Sequence, residues 1–107
     1  MVRFGAVLKL KPGAYEKYKT FHAAVWPEVL AAIRNSNIRN YSIHFKDGWL
    51  FSYYEYEGGN YQADMARMAQ DPKIREWWAI MEPLQDPLST RKPGEWWAGM
   101  EELFHID

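Results

Sequence analysis

The chain has 107 residues and a net charge of −1, with a pI near 6.3, enough for a single domain, residues 1–107, with one real core. That charge balance offers no footing for nucleic acid or an anionic membrane as partner, and the lack of cysteine excludes disulfides and thiolate metal sites. Met1-Val2-Arg3-Phe4 does not open a signal-peptide apolar core and no apolar run approaches a membrane span, so a soluble, cytoplasmic protein is expected.

Residues 3–10 alternate, with Phe4, Ala6, Leu8 and Leu10 on one side, which predicts a strand. Lys11-Pro12-Gly13 is a turn, and a helix is expected from about Ala14 to Arg34, with Pro27 kinking or re-starting it beside Trp26. Residues 38–46 and 49–57 form a hairpin about Asp47-Gly48, a strong two-residue turn signal. The turn sets the register: Lys46 opposite Trp49, Phe45 opposite Leu50, Ile43 opposite Ser52, Tyr41 opposite Tyr54. One hairpin face then carries Tyr41, Ile43, Phe45, Leu50, Ser52 and Tyr54, and the other Ser42, His44, Phe51 and Tyr53. Neither face is plainly polar, so a sheet with helices on one side needs a second cover, and a second subunit is the economical candidate. His44 is assigned to that interface.

Gly58-Gly59-Asn60 leads into a helical stretch over about 61–69, and Asp71-Pro72 reads as an N-cap followed by a first-turn proline. The helix it opens carries Ile74, Trp77, Trp78 and Met81. Residues 82–99 hold three prolines and Gly94 and are read as a long irregular connection. Met100–Ile106 is expected to be a short final strand. The order is β-α-β-β-α-β, with the second helical region split, and gives an α+β, ferredoxin-like fold on an antiparallel sheet. Closed by a twofold partner it is a dimeric α/β barrel.

The stretch Tyr15–Pro27 carries the chemistry. Ala14, Tyr18, Phe21, Val25 and Val29 share one helix face, with His22 at its border one turn after Tyr18. A phenol and an imidazole so placed suit either a sugar or carbonyl site with a neutral-pH acid/base, or a core-edge histidine whose nitrogens are satisfied. Aromatic content of 17%, with six Trp and seven Tyr, gives the flat walls that a sugar or a second subunit would use.

Several marks together resemble the L-rhamnose mutarotase family. They are Arg3, the block Tyr18-x-x-x-His22-x-x-x-Trp26-Pro27-Glu28, then Asn40-Tyr41-Ser42-Ile43, Trp77-Trp78-x-x-Met81 and Glu102-Leu103-Phe104. They span nearly the whole chain. The resemblance implies an isomerase that interconverts the α and β anomers of a deoxy-hexose, with no metal or organic cofactor, as a homodimer of ferredoxin-like subunits. It implies His22 as the catalytic proton donor and Tyr18, Tyr41, Trp77 and Trp78 as the sugar pocket. Arg3 is read either as a sugar contact or as a partner for a carboxylate, and His105 as structural. One stretch departs from the family: Met81-Glu-Pro-Leu-Gln-Asp-Pro-Leu-Ser-Thr90 replaces the usual segment, and Trp96-Trp97 has no counterpart. A related sugar such as L-fucose fits the same chemistry. The fold also accommodates a cofactor-free oxygenase or haem-handling protein, or a non-catalytic sugar-binding dimer.

Overall fold

The computed structural model describes residues 1–107. It contains strands β1 (Val2–Leu10), β2 (Ile38–Lys46), β3 (Trp49–Tyr56), β4 (Gln85–Asp86) and β5 (Ala98–Met100). Its helices are α1 (Tyr15–His22), α2 (Pro27–Asn35), α3 (Tyr61–Met68) and α4 (Pro72–Met81), with a 3₁₀ turn over Glu82–Leu84. The sheet is antiparallel, in the order β2-β3-β1-β4, and β5 also pairs with β1. This is the ferredoxin-like arrangement expected from the pattern. Leu8, Leu10 and Leu50 of the sheet meet Ala14 and Tyr18 from the start of α1, Val29 of α2, and Ile74, Trp77 and Met81 of α4 in one core.

The first helical region is not a single kinked rod. The helix stops at His22 and starts again at Pro27. Trp26 is extended (φ −58°, ψ 136°), as a residue before proline must be when the proline ring crowds its helical conformation. Pro27 then occupies the first position of α2, where its missing N–H costs nothing, and the Trp26 carbonyl accepts from Val29 and Leu30. The break holds Ala23–Trp26 as a corner beside the end of α1.

The hairpin turn has φ 50° at Asp47 and φ 83° at Gly48, the positive angles that match the twist of the strands. Its register gives Lys46–Trp49, Phe45–Leu50 and Ile43–Ser52 as expected. Between Arg39 and Ser42 the register slips by a bulge. Asn40, at φ 50°, is its left-handed residue and fastens its amide to Glu55 Oε1 at 2.6 Å. The bulge removes the expected pairing of Tyr41 opposite Tyr54 from the ladder, although the two rings still lie side by side, centroids 5.4 Å apart.

The helices that follow are capped as their sequence signals require. Asn60 accepts from Ala63 N at 3.1 Å, and Asp71 accepts from Lys73 N and Ile74 N at 2.8 and 3.2 Å. Asp64 of α3 is buried and accepts from the Tyr56 hydroxyl, the Asn37 amide and Arg67, fixing α3 to the hairpin. A Cβ at Gly58 would overlap the Tyr56 hydroxyl and come 2.7 Å from Asp64 Oδ2, so only glycine lets this knot close.

The end of the chain differs from expectation. The final strand is β5, over residues 98–100, not 100–106, and residues 101–107 form no regular structure. Leu103 and Phe104 are adjacent and would face opposite sides of a strand. The sheet has no apolar cover for both, and they stand 87% and 80% exposed, with Ile106 at 77%. The connection before it is not irregular throughout either: β4 pairs with Lys9–Leu10 and β5 with Gly5–Val7. One edge of β1 is therefore filled by two short strands, and residues 87–97 leave the sheet and return to it. Arg3 pairs in bidentate fashion with Glu102, at 2.9 and 3.0 Å, which settles its role as a carboxylate partner.

Candidate functional site

An open trough of about 1670 Å³ runs between the helices and the sheet face that carries Phe4, Ala6, Ser52 and Tyr54. It exceeds the ~300–1,000 Å³ of an ordinary small-molecule pocket, because one side is uncovered. All five residues singled out from the sequence, Tyr18, His22, Tyr41, Trp77 and Trp78, line it.

The end of α1 and the start of α4 build the central cluster. Tyr18 and His22, one turn apart, stack at 4.3 Å between centroids. The Trp77 indole stands edge-on to His22 at 5.4 Å, to Trp26 at 5.1 Å and to Phe21 at 5.9 Å. His22 Nδ1 lies 2.8 Å from the Tyr18 carbonyl oxygen. A carbonyl can only accept, so Nδ1 carries the hydrogen and Nε2 is the nitrogen with a free lone pair. Burial lowers the pKa of His22 from its ordinary 6.5, opposed by the bond to the Tyr18 carbonyl. The neutral imidazole, basic at Nε2, is thus the form held at neutral pH.

Trp77 and Trp78 diverge, as adjacent helix positions must. Trp77 is 6% exposed and belongs to the core, whereas Trp78 is 36% exposed at the rim. Tyr41 comes from the far side of the trough. It is 40% exposed, yet burial of its hydroxyl end, and then the nearby Tyr18 and Tyr61 phenols, hold its pKa well above the ordinary 10. Tyr54 and Tyr61 hydrogen-bond to each other beside it, and Phe4 stacks on both rings at 5.3 and 4.6 Å. The trough therefore offers neutral phenols and flat aromatic walls around one imidazole, a combination suited to a polyol with an apolar side.

His44 is exposed and bonds Ser42 Oγ at 3.2 Å. His105 pairs with Asp107 in the exposed tail. Two more residues of the trough join the site: Gln85, which carried no signal in the sequence, and Trp96, which the sequence marked only as part of an unplaced tryptophan pair. Gln85 of β4 is 5% exposed and donates to the Tyr18 hydroxyl at 3.1 Å, and Trp96 donates its indole N–H to Gln85 Oε1 at 2.8 Å.

An antiparallel ferredoxin-like sheet with an imidazole in an aromatic, phenol-lined trough makes this a small α+β protein whose site could hold a compact, hydroxyl-bearing ligand. Comparison narrows that reading. A model of the L-rhamnose mutarotase family matches residues 3–106, and the chain belongs to that family, isomerases that interconvert sugar anomers. A curated relative from Lactiplantibacillus plantarum, named L-rhamnose mutarotase, is 35% identical over the whole of both chains. Another of that name, from Ligilactobacillus salivarius, is 32% identical over 99% of this chain and 98% of its own. The crystal structure of an L-rhamnose mutarotase from Formosa agariphila superposes with a TM-score of 0.78 over 100% of both chains, at 22% identity. The fold alone is also shared by tetracenomycin F2 cyclase from Streptomyces glaucescens, a polyketide cyclase, with a TM-score of 0.74 at 11% identity over 100% of this chain and 98% of that one. No helix of the protein is long and apolar enough to cross a membrane.

Proposed function

We propose that this protein interconverts the α and β anomers of L-rhamnose, with His22 as the acid/base group and Tyr18, Tyr41, Trp77 and Trp78 as the sugar pocket. The observation that carries the reading is the pinned imidazole: Nδ1 is spent on the Tyr18 carbonyl, so one basic nitrogen is left beside hydroxyls and indoles. The chemistry needs no more than this. Neutral Nε2 takes the proton from the anomeric hydroxyl O1, and the imidazolium returns it to the ring oxygen O5 as the C1–O5 bond breaks. The open aldehyde turns about C1–C2 and recloses on its other face, with the proton passing back from O5 to O1, so the cycle is balanced. Positioned proton transfer is worth roughly 10²–10⁴-fold, ample for a reaction that already runs in water. Tyrosine hydroxyls hold the sugar hydroxyls, and indole faces cover its apolar side and the C6 methyl.

Saturation-transfer NMR on equilibrated L-rhamnose and L-fucose tests the activity and its preference together. Exchange between the two anomeric protons is expected to accelerate with added protein, more for L-rhamnose. No acceleration with either sugar would remove the activity. Faster exchange with L-fucose would reassign the substrate and implicate the 81–99 segment.

The working unit of this reading is a cytoplasmic homodimer. Its support is the sheet face away from the helices, where Phe51 and Met100 are about two-fifths exposed beside Gly5 and Val7, together with the apolar tail and the uncovered side of the trough. Apolar patches of this kind mark interfaces. Sedimentation at micromolar concentration is expected to give twice the chain mass, and a monomer there would refute the assignment.

A further inference from the structure

We propose that Trp96 and Gln85 fix the polarity of the Tyr18 hydroxyl, making it a hydrogen-bond donor to a ligand oxygen; this rests on the sugar-site reading above. The inference follows from what each group can and cannot do. An indole N–H only donates. Trp96 Nε1 sits 2.8 Å from Gln85 Oε1, so the amide cannot flip without placing two donors face to face. Its Nε2 must then point the other way, and it does, donating to the Tyr18 oxygen at 3.1 Å. Tyr18 spends an acceptor position on Gln85, and its own proton has no acceptor in the protein. The trough that Tyr18 lines is where that proton goes.

The relay joins three distant parts of the chain: α1, the short strand β4 and the returning end of the 87–97 excursion. Burial makes it strict. Gln85 is 5% and Tyr18 5% exposed, so water has little access to the bond between them, and an amide held at both ends has one orientation. The consequence is selectivity for a ligand with an acceptor oxygen at that point. A ligand lacking it would leave a buried hydroxyl proton unpaired, and the loss would be greater than that of an ordinary surface contact. Trp96, which has no counterpart in the sequence pattern of the family, thereby acquires a positioning role: it acts through Gln85 and Tyr18.

The test is a double-mutant cycle read by NMR anomer exchange. In Gln85→Glu a carboxylate can only accept, so the Tyr18 hydroxyl donates its hydrogen bond to it and is turned away from the trough. KM for L-rhamnose is expected to rise about tenfold, the equivalent of one hydrogen bond of ~1.4 kcal/mol, with kcat changed less. Lowering the pH until the introduced carboxylate protonates restores a donor towards Tyr18 and should bring KM back. Trp96→Phe, a milder change at a half-exposed residue, releases the amide to flip and should raise KM about threefold, a fraction of the same hydrogen bond. In a Tyr18→Phe background both effects should vanish. Equal effects in the two backgrounds would overturn the proposal, since Gln85 and Trp96 would then act by packing alone. A readout without sugar separates this from the activity itself: the Trp96 indole proton should shift upfield in Gln85→Leu. An unmoved indole resonance overturns the relay even where wild-type protein is active. A shifted resonance in a protein that fails to exchange anomers sustains the relay and removes only the sugar reading.

Discussion

His22→Ala is expected to lower kcat for anomer exchange by roughly 10²–10⁴-fold, the range that a positioned acid/base contributes. KM should change much less, because in the proposed pocket the sugar hydroxyls are held by the Tyr18 and Tyr41 phenols, which the substitution leaves in place. The pH dependence gives the sharper reading. Burial places the pKa of His22 below 6.5, and in the proposed mechanism the neutral imidazole starts the reaction. In wild-type protein kcat/KM should therefore be flat at neutral pH and above, and fall as the pH drops below 6.5 through that lowered value. The opposite slope would mean that the imidazolium is the starting form. The limb should be absent from whatever activity His22→Ala retains, measured by the same NMR exchange across pH 4.5–8, a range chosen about the ordinary histidine value of ~6.5. A profile unchanged by the substitution would remove His22 from the mechanism.

The second large effect separates two neighbours. Trp77→Ala should cost about 3–5 kcal/mol of stability, the range for emptying a buried aromatic site. Its indole is the plate against which His22, Phe21 and Trp26 all rest, and catalysis should fall with it. Trp78→Ala, at the rim, should cost no more than about 0.5 kcal/mol. Its effect should appear instead as a KM for L-rhamnose raised five- to tenfold, about 1–1.4 kcal/mol of lost aromatic contact. Urea unfolding and exchange rates at several sugar concentrations measure both. Equal losses of stability in the two variants would show that the pair does not divide between core and rim as the structure has it.

Much of the frame was legible in the sequence, for physical reasons that can be named. Asp47-Gly48 demands positive φ at both positions, and that demand sets the pairing of Lys46, Phe45 and Ile43 with their partners. Asp71-Pro72 fixes the start of α4, and with it the direction of Trp77. The bulge at Asn40 was not legible, because a left-handed asparagine inside an alternating run leaves the alternation looking intact. The split of the edge strand was hidden in a proline-rich stretch without periodicity, whereas its apparent continuation at Met100–Ile106 looked like a strand only by composition. Of the site, helical spacing brought Tyr18 and His22 together, and family resemblance added Tyr41 and the tryptophan pair. Gln85 was beyond both: it meets Tyr18 across 67 positions of sequence, and no local pattern marks a glutamine for such a contact.

The divided edge strand has a practical consequence for redesign. Residues 87–97 are anchored at one end by Asp86 against Lys9 and at the other by Ala98 against Val7. Within them Glu95 accepts from Gly99 N, Trp96 donates to Gln85 and Trp97 packs on the core, so the part free to vary is the stretch 87–94. That stretch forms a replaceable cassette between two fixed posts. Cassettes grafted from relatives over 87–94, with Gln85 and Glu95–Trp97 retained, should leave the melting temperature of the scaffold nearly unchanged.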